Sequence, residues 1–301
     1  MGLSTTAIRF RPNNASNGIW NQIWGRSIET GDRDDCCHYQ CALPAEALRF
    51  DRDIGEIERA VVASDIAGMH LTRRDRVLEI GPGPGTYTLP IAERVHSLTA
   101  VEPLYGMRQV LLENAAASGL ANISVVPALW EQVDIRRDLS PPYDLVLAAF
   151  SLDMPDLCAA VRKMTAAAAG NICLYWFAGD TSCDRRCSEL WPVLYGRAYR
   201  PQPKFDTLVN VLSDMGIYPR IQFFPFYRRT VFPSLDAAAD VYRRRFQVAP
   251  GSLKMADLRR HLKDVLVPEQ GRMIRHCHAR CVKLFWNAAD TQTPWRKSCR
   301  K

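Results

Sequence analysis

The sequence predicts an α/β chain, with a mostly parallel sheet and helices on both faces. Two observations predict it. From about residue 53 to residue 232, apolar runs of strand length alternate with stretches of helical period. Within that region, residues 76–103 (RVLEIGPGPGTYTLPIAERVHSLTAVEP) read in order as strand, glycine-rich turn, helix, strand and acid.

Val77-Leu78-Glu79-Ile80 is a short apolar run of buried-strand type. Gly81-Pro82-Gly83-Pro84-Gly85 makes the turn, where missing Cβ atoms let a ligand approach the backbone. Thr86 to Arg94 reads as a helix with Leu89 and Ala92 inward. Its N-terminal N–H groups and dipole would attract negative charge. Leu98 to Val101 is a second strand, and Glu102 at its tip can accept two hydrogen bonds from a ribose diol. The unit therefore predicts a site for a nucleoside with an anionic group near the turn.

The other elements follow in chain order. Asn13 to Gly18 is loop-like, and Trp20, Ile23 and Trp24 recur at helical spacing. Asp53 to Met69 reads as a helix with Ile57, Val61 and Ile66 near one stripe. Helix 105–118 presents Met107, Val110, Leu111 and Ala115, and strand 122–126 follows. After the Pro141-Pro142 loop come strand 143–150, helix 156–168 and strand 171–177. Residues 179–204 read as a long connection that helps shape a pocket. Helix 205–215 stops at Gly216, and alternating aromatics make 220–232 a strand. Ser234 reads as the N-cap of helix 236–246; helix 254–266 and a last strand, 278–286, complete the order.

The third-glycine position of the dinucleotide fingerprint is occupied by Thr86. The spacing is G-x-G-x-G with Glu79 two residues before it, which resembles motif I of the class I S-adenosylmethionine (SAM)-dependent methyltransferases. That resemblance implies a Rossmann-like, seven-stranded sheet closed by an antiparallel final strand. It divides the chain into an N-terminal lid or substrate segment (1–50), a SAM-binding core (51–235), a helical insert before the last strand (236–278), and a final strand with a basic tail (279–301). It implies SAM as cofactor, contacted by Glu79, Gly81, Pro82, Gly83, Gly85 and Thr86 at the turn, and by Glu102 and Pro103 at the ribose. At the adenine, where the family often has an acid, the chain has Leu129 and Trp130, with Glu131 displaced. Phe150 would lie where the methyl faces its acceptor. Adenine and glutamine N-methyltransferases carry Asn or Asp, Pro-Pro and an aromatic there; Ala149-Phe150-Ser151-Leu152 looks more like the small-molecule subgroup. Motif I also resembles that of the rRNA adenine dimethylases. The expected partner is thus a small-molecule acceptor, with RNA or protein methylation, or non-catalytic SAM binding, as alternatives. No catalytic base is named, and Trp20, Trp24, Ser151, Asp153 and Tyr175 are local contributors at most.

Composition sets bounds. In 301 residues, 47% are hydrophobic and 24% charged, as in an ordinary soluble globular protein. No apolar run is long enough to span a bilayer, and the polar N-terminus has no signal-peptide core, so a cytoplasmic location and no membrane partner are expected. The net charge of +7 concentrates at Arg243-Arg244-Arg245, Arg259-Arg260 and residues 296–301, which read as solvated helix faces and a tail; nucleic acid is not favoured. Ten cysteines without a secretion signal argue against structural disulfides. The groups Cys36-Cys37-His38 with Cys41, Cys183 with Cys187, and His276-Cys277-His278 with Cys281 match no standard zinc spacing, so no metal is expected. Methyltransferases acting on trivalent arsenic hold it with cysteines from separate segments, and Cys36, Cys37, Cys41, Cys183 and Cys187 could supply such a set, but the chain does not otherwise match that group.

Overall fold

A computed structural model describes residues 18–32 and 43–291. The strands are β1 (Arg76–Ile80), β2 (Ser97–Val101), β3 (Ile123–Val126), β4 (Tyr143–Ala149), β5 (Ala168–Phe177), β6 (Arg220–Phe232), β7 (Val267–Glu269) and β8 (Arg272–Asn287). The helices are α1 (Ile19–Thr30), α2 (Pro44–Asp53), α3 (Glu56–Ala67), α4 (Thr88–Ala92), α5 (Tyr105–Ala117), α6 (Ile135–Asp138), α7 (Leu157–Ala167), α8 (Ser182–Tyr195), α9 (Phe205–Asp214), α10 (Leu235–Arg245) and α11 (Leu253–Val265).

They form one sheet in the order β3-β2-β1-β4-β5-β8-β6, with β7 paired to β8. β1 to β5 pair in parallel, and β8 runs antiparallel to both β5 and β6. The strand order reverses between β1 and β4, which makes a topological switch point at their carboxyl ends, where open α/β sheets bind ligands.

Alternation along the central strands feeds two cores. Val146 and Ala148 of β4 face a cluster with Trp24, Leu157, Leu208 and Leu212, under α1, α7 and α9. Leu145 and Leu147 face the opposite cluster with Val62, Ile66, Ile91 and Leu111, under α3, α4 and α5. Helices thus cover both faces, as expected.

The structure departs from the sequence reading in four places. The sheet gains an eighth strand, because β7 folds onto β8 through Gln270 and Gly271, both at positive φ (47° and 74°), as a tight two-residue hairpin requires. β8 accordingly starts at Arg272, earlier than the expected 278. The helix expected over 53–69 is α3, which starts only at Glu56, and an unexpected helix, α2, ends at Asp53 before it. Residues 179–204 hold a helix, α8, whose N-terminus is closed by a capping box between Thr181 and Asp184. With α10 and α11, α8 builds a third core around Leu190, Trp191, Leu194, Phe246, Leu258 and Leu262, so the accessory layer reaches beyond the 236–278 insert.

Part of the expected lid or substrate segment is described. α1 is packed into the main core. Trp24 is fully buried, its Nε1 donates to the Met154 carbonyl at 3.0 Å, and its ring lies 5.6 Å from that of Trp176. Asn21 donates to Asp156 Oδ1 and accepts from the Cys158 N–H, each at 3.0 Å. The seat of α1 is thus both apolar and hydrogen-bonded. The expectations for residues 1–17, for Cys36, Cys37, His38 and Cys41, and for the basic tail lie outside the described residues.

Candidate functional site

The turn after β1 is built as its glycines predict. Gly81, Gly83 and Gly85 have φ of 68°, 58° and 103°, the left-handed region that favours glycine. Their surroundings differ. A Cβ on Gly81 would sit 2.4 Å from Ser151 Cβ, because the segment after β4 crosses there. One on Gly85 would meet Leu111 and Leu89. One on Gly83 would find nothing nearer than Met107 Sδ at 4.0 Å. Gly81 and Gly85 are therefore glycines for packing, and Gly83 is the one that leaves its side open. Neighbours clamp the loop: Asn114 Nδ2 donates to the Pro84 carbonyl at 3.1 Å, and Ser151 Oγ donates to the Ile80 carbonyl at 2.5 Å.

Two buried carboxylates flank this turn. Glu102, 4% exposed, accepts from the Gly83 N–H at 3.1 Å through Oε2 and from the Leu104 N–H at 2.9 Å through Oε1. Arg108 Nη1 donates to the carbonyls of Glu102 (3.0 Å) and Pro103 (2.6 Å), fixing the strand end that carries the acid. Glu79, 1% exposed, accepts from Thr88 Oγ1 at 2.7 Å. Burial, opposed by the Thr88 bond and aided by the Glu102 charge, raises its pKa to about 7.

This geometry changes the electrostatic expectation. α4 is only five residues long and contains Pro90, so its dipole is too small to draw an anion to the turn. The dominant local charges are the two acids. The site suits a nucleoside carrying positive charge better than a phosphate.

The remaining expected site residues separate. Pro82 is buried and Thr86 half-buried in the turn, and Pro103 is exposed beyond Glu102. Leu129 is 47% exposed after β3, whereas Trp130 is in the core: its Nε1 donates to the Ala160 carbonyl at 3.2 Å, with Lys163 Nζ 5.2 Å from the ring centroid. Trp130 thus has no face left for an adenine, and the 3-10 turn at Trp130–Gln132 points Glu131 to solvent.

Phe150, at the end of β4, has φ of 56°, a strained backbone for an aromatic residue. Its ring packs 5.1 Å from Phe177, 6.0 Å from Phe226 and 6.3 Å from Tyr175. The wall beyond the turn is therefore aromatic. Of the weaker expected contributors, Tyr175 donates its hydroxyl to Asp65, which also receives Lys283 Nζ at 2.6 Å; Ser151 and Trp24 are committed as above. Sequence reasoning missed Thr88, Asn114, Phe177 and Phe226. Thr88, nine residues after Glu79, had a signal in the motif itself, but the two Phe residues had none, since only the fold brings them to Phe150.

A family model described as a methyltransferase domain matches residues 77–169, the span from β1 to the start of β5. That match takes in about a third of the chain, and the strand order around it is the Rossmann-like one. Over 74 residues the chain is 42% identical to the ribosomal RNA small subunit methyltransferase A of Dichelobacter nodosus, a match over 25% of this chain and 26% of that protein. An uncharacterised protein of Haemophilus influenzae is 27% identical over 195 residues, covering 62% of this chain and 69% of the relative. Among solved structures, the YcgJ protein of Bacillus subtilis superposes with a TM-score of 0.50 at 15% identity, over 75% of this chain and 97% of the other. A protein of Bacillus halodurans C-125 gives 0.51 at 13%, over 75% and 98%. The fold is thus shared with two proteins that this chain covers almost whole, whereas the sequence match to the rRNA enzyme takes in about a quarter of its length.

Proposed function

We propose that the chain is a SAM-dependent methyltransferase of a small-molecule acceptor. The observation that carries the reading is the pair of buried acids around the open side of Gly83, at the switch point of the sheet. Glu102 would hold the ribose hydroxyls, the turn from Gly81 to Thr86 with Pro82 would hold the cofactor's backbone-facing side, and Glu79 would offset its positive charge. Leu129 would cover the adenine, with Trp130 supporting that loop from below, and Pro103 would border the ribose. Bound SAM supplies an electrophilic methyl on a sulfonium. The chain's own part is then to position both reactants and exclude water, which the aromatic wall of Phe150, Phe177 and Phe226 favours. No side-chain amide follows β4 to hold a nucleobase amine, which supports a metabolite acceptor. The location proposed is cytoplasmic; among the described residues no helix is long and apolar enough to cross a membrane.

An RNA acceptor is the second reading, favoured by the 42% identity to the rRNA enzyme. Against it, arginines of the clusters that read as solvated helix faces are paired with acids. Arg243 and Arg244 both pair with Asp240, Arg259 pairs with Asp236 at 2.6 Å, and Arg260 with Asp257 at 2.8 Å. Methyl transfer from labelled SAM to a metabolite extract, and in parallel to total RNA, tests both. Label in the metabolite fraction alone is the expected result; label in RNA alone would replace the first reading with the second, and binding without transfer would leave a non-catalytic SAM-binding protein.

A further inference from the structure

Outside the cofactor site, two cysteines 94 residues apart in the chain meet. Cys183 Sγ lies 3.3 Å from Cys277 Sγ. The first belongs to the opening turn of α8 and is half-buried; the second is on β8, opposite Arg228 of β6, and is 7% exposed. Arg186, one turn further along α8, donates through Nη2 to both sulfurs, at 3.2 Å and 3.4 Å, and through Nη1 to the His276 carbonyl at 3.3 Å. The Ser182 hydroxyl accepts from the His278 N–H at 2.9 Å, so the helix and the strand are already tied on either side of the sulfur pair.

We infer that Cys183 and Cys277 are an oxidisable dithiol that closes to a disulfide between α8 and β8 when the protein meets a hydroperoxide. Four features converge on this chemistry. The sulfurs need to approach by only about 1.2 Å to reach bonding distance. Both flanking backbones are held. A guanidinium touching the sulfurs and the N-terminal end of a 14-residue helix each favour thiolate, the attacking form, at Cys183. Cys183 is the more accessible of the two and so the first to be oxidised, with Cys277 behind it to resolve the product. A shared zinc ion fits less well: tetrahedral thiolates stand about 3.8 Å apart, and among the described residues no group of three metal-ligating side chains occurs.

The step balances. The Cys183 thiolate attacks one peroxide oxygen, the O–O bond breaks, and a sulfenic acid forms as hydroxide or alkoxide leaves. The Cys277 sulfur then attacks the Cys183 sulfur, the S–S bond forms, the S–O bond breaks, and the departing hydroxide takes the Cys277 proton as water. Two thiols lose two electrons and two protons in total, and the hydroperoxide is reduced to water and, for an organic one, its alcohol. The bond would fasten the first turn of α8, whose cap, Thr181, lies four residues after the end of β5.

The test uses the full chain, reduced, freed of reductant and treated with stoichiometric hydrogen peroxide. Non-reducing peptide mass spectrometry is expected to find the Cys183 and Cys277 peptides joined with loss of two hydrogens and separated again by dithiothreitol. The oxidised chain is expected to melt several degrees higher than the reduced one, because the link closes a long loop. Arg186→Gln is expected to slow formation of the link severalfold, because it removes the guanidinium that favours the thiolate. Recovery of Cys183 and Cys277 as separate alkylated thiols, or of either joined to a different cysteine, overturns the proposal. An unchanged rate in Arg186→Gln overturns the part given to the guanidinium.

Discussion

The cofactor cradle and the accessory layer are built by different means. In the cradle, Glu79, Gly81, Gly83, Gly85, Thr88 and Glu102 lie within 24 residues of one another, and backbone geometry does most of the positioning. In the layer of α8, α10 and α11, side chains from Cys187 to Leu266 meet only because the chain returns to the same place. Turn geometry needs the right glycine at each position, whereas a packed layer needs apolar volume. Damage to the first should therefore change ligand binding with little loss of stability, and damage to the second the reverse.

The largest effect is expected in the layer. Trp191, 4% exposed, has rings of Tyr195, Tyr199 and Phe246 within 4.9–5.5 Å. Trp191→Ala should cost about 3–5 kcal/mol of stability by leaving a cavity. Chemical denaturation would read this, and SAM affinity measured below the transition should stay within about twofold. A large loss of affinity would mean that the two regions are not separate.

Next comes the pH dependence of Glu79. Its folded pKa, about 7, exceeds the ordinary 4.5 because of burial. A raised carboxyl pKa means that the folded state binds the proton more tightly than the unfolded chain. The resulting stability is full below pH 4.5 and is lost as pH rises to 7, an amount on the order of 3 kcal/mol. Denaturation curves between pH 4.5 and pH 7.5 should show this fall, and Glu79→Gln should flatten it. The same slope in both proteins would place the titrating group elsewhere. A cationic ligand reverses the preference, so affinity for SAM should rise with pH from 5.5 to 7 in the native chain and not in the variant.

A smaller loss is expected from Glu102→Ala, about 1.5–3 kcal/mol of SAM affinity by calorimetry, the range for hydrogen bonds to a charged group. Part of it reflects the released Gly83 and Leu104 N–H groups. Glu102→Gln keeps the shape and should fall between the two; a variant equal to Ala would show that charge, rather than shape, sets the contact.

The same contrast explains what could be read from the sequence. The strand order β1 to β5, the glycine turn and the acid after β2 are local patterns, and they were legible because strand period, glycine spacing and a carboxylate position are each written within a few residues. β6 was legible to the residue from its alternating aromatics. α8 was not: Pro192, three polar residues in its first turn and the cysteines obscure a helix whose inner face, Cys187, Leu190, Trp191 and Leu194, is defined only by α10 and α11 opposite. Trp130 shows the limit from the other side. An aromatic residue after β3 is equally suited to stack on a base or to fill the core, and only the Ala160 carbonyl beneath its Nε1 distinguishes them. In α4, helical period over Thr86 to Arg94 outweighed the proline, so the helix was read longer than the five residues it has.

The most direct test of the central claim is a calorimetric titration of SAM into the full chain and into Gly83→Val. Gly83 leaves open space on its free side, so the valine should fill the ligand's place and lower affinity at least a hundredfold, while the left-handed φ adds about 1–2 kcal/mol of strain that the fold tolerates. Saturable one-to-one binding to the native chain, lost in a variant that still unfolds cooperatively, is the predicted result. No binding to the native chain, or equal binding to a folded Gly83→Val, would contradict it.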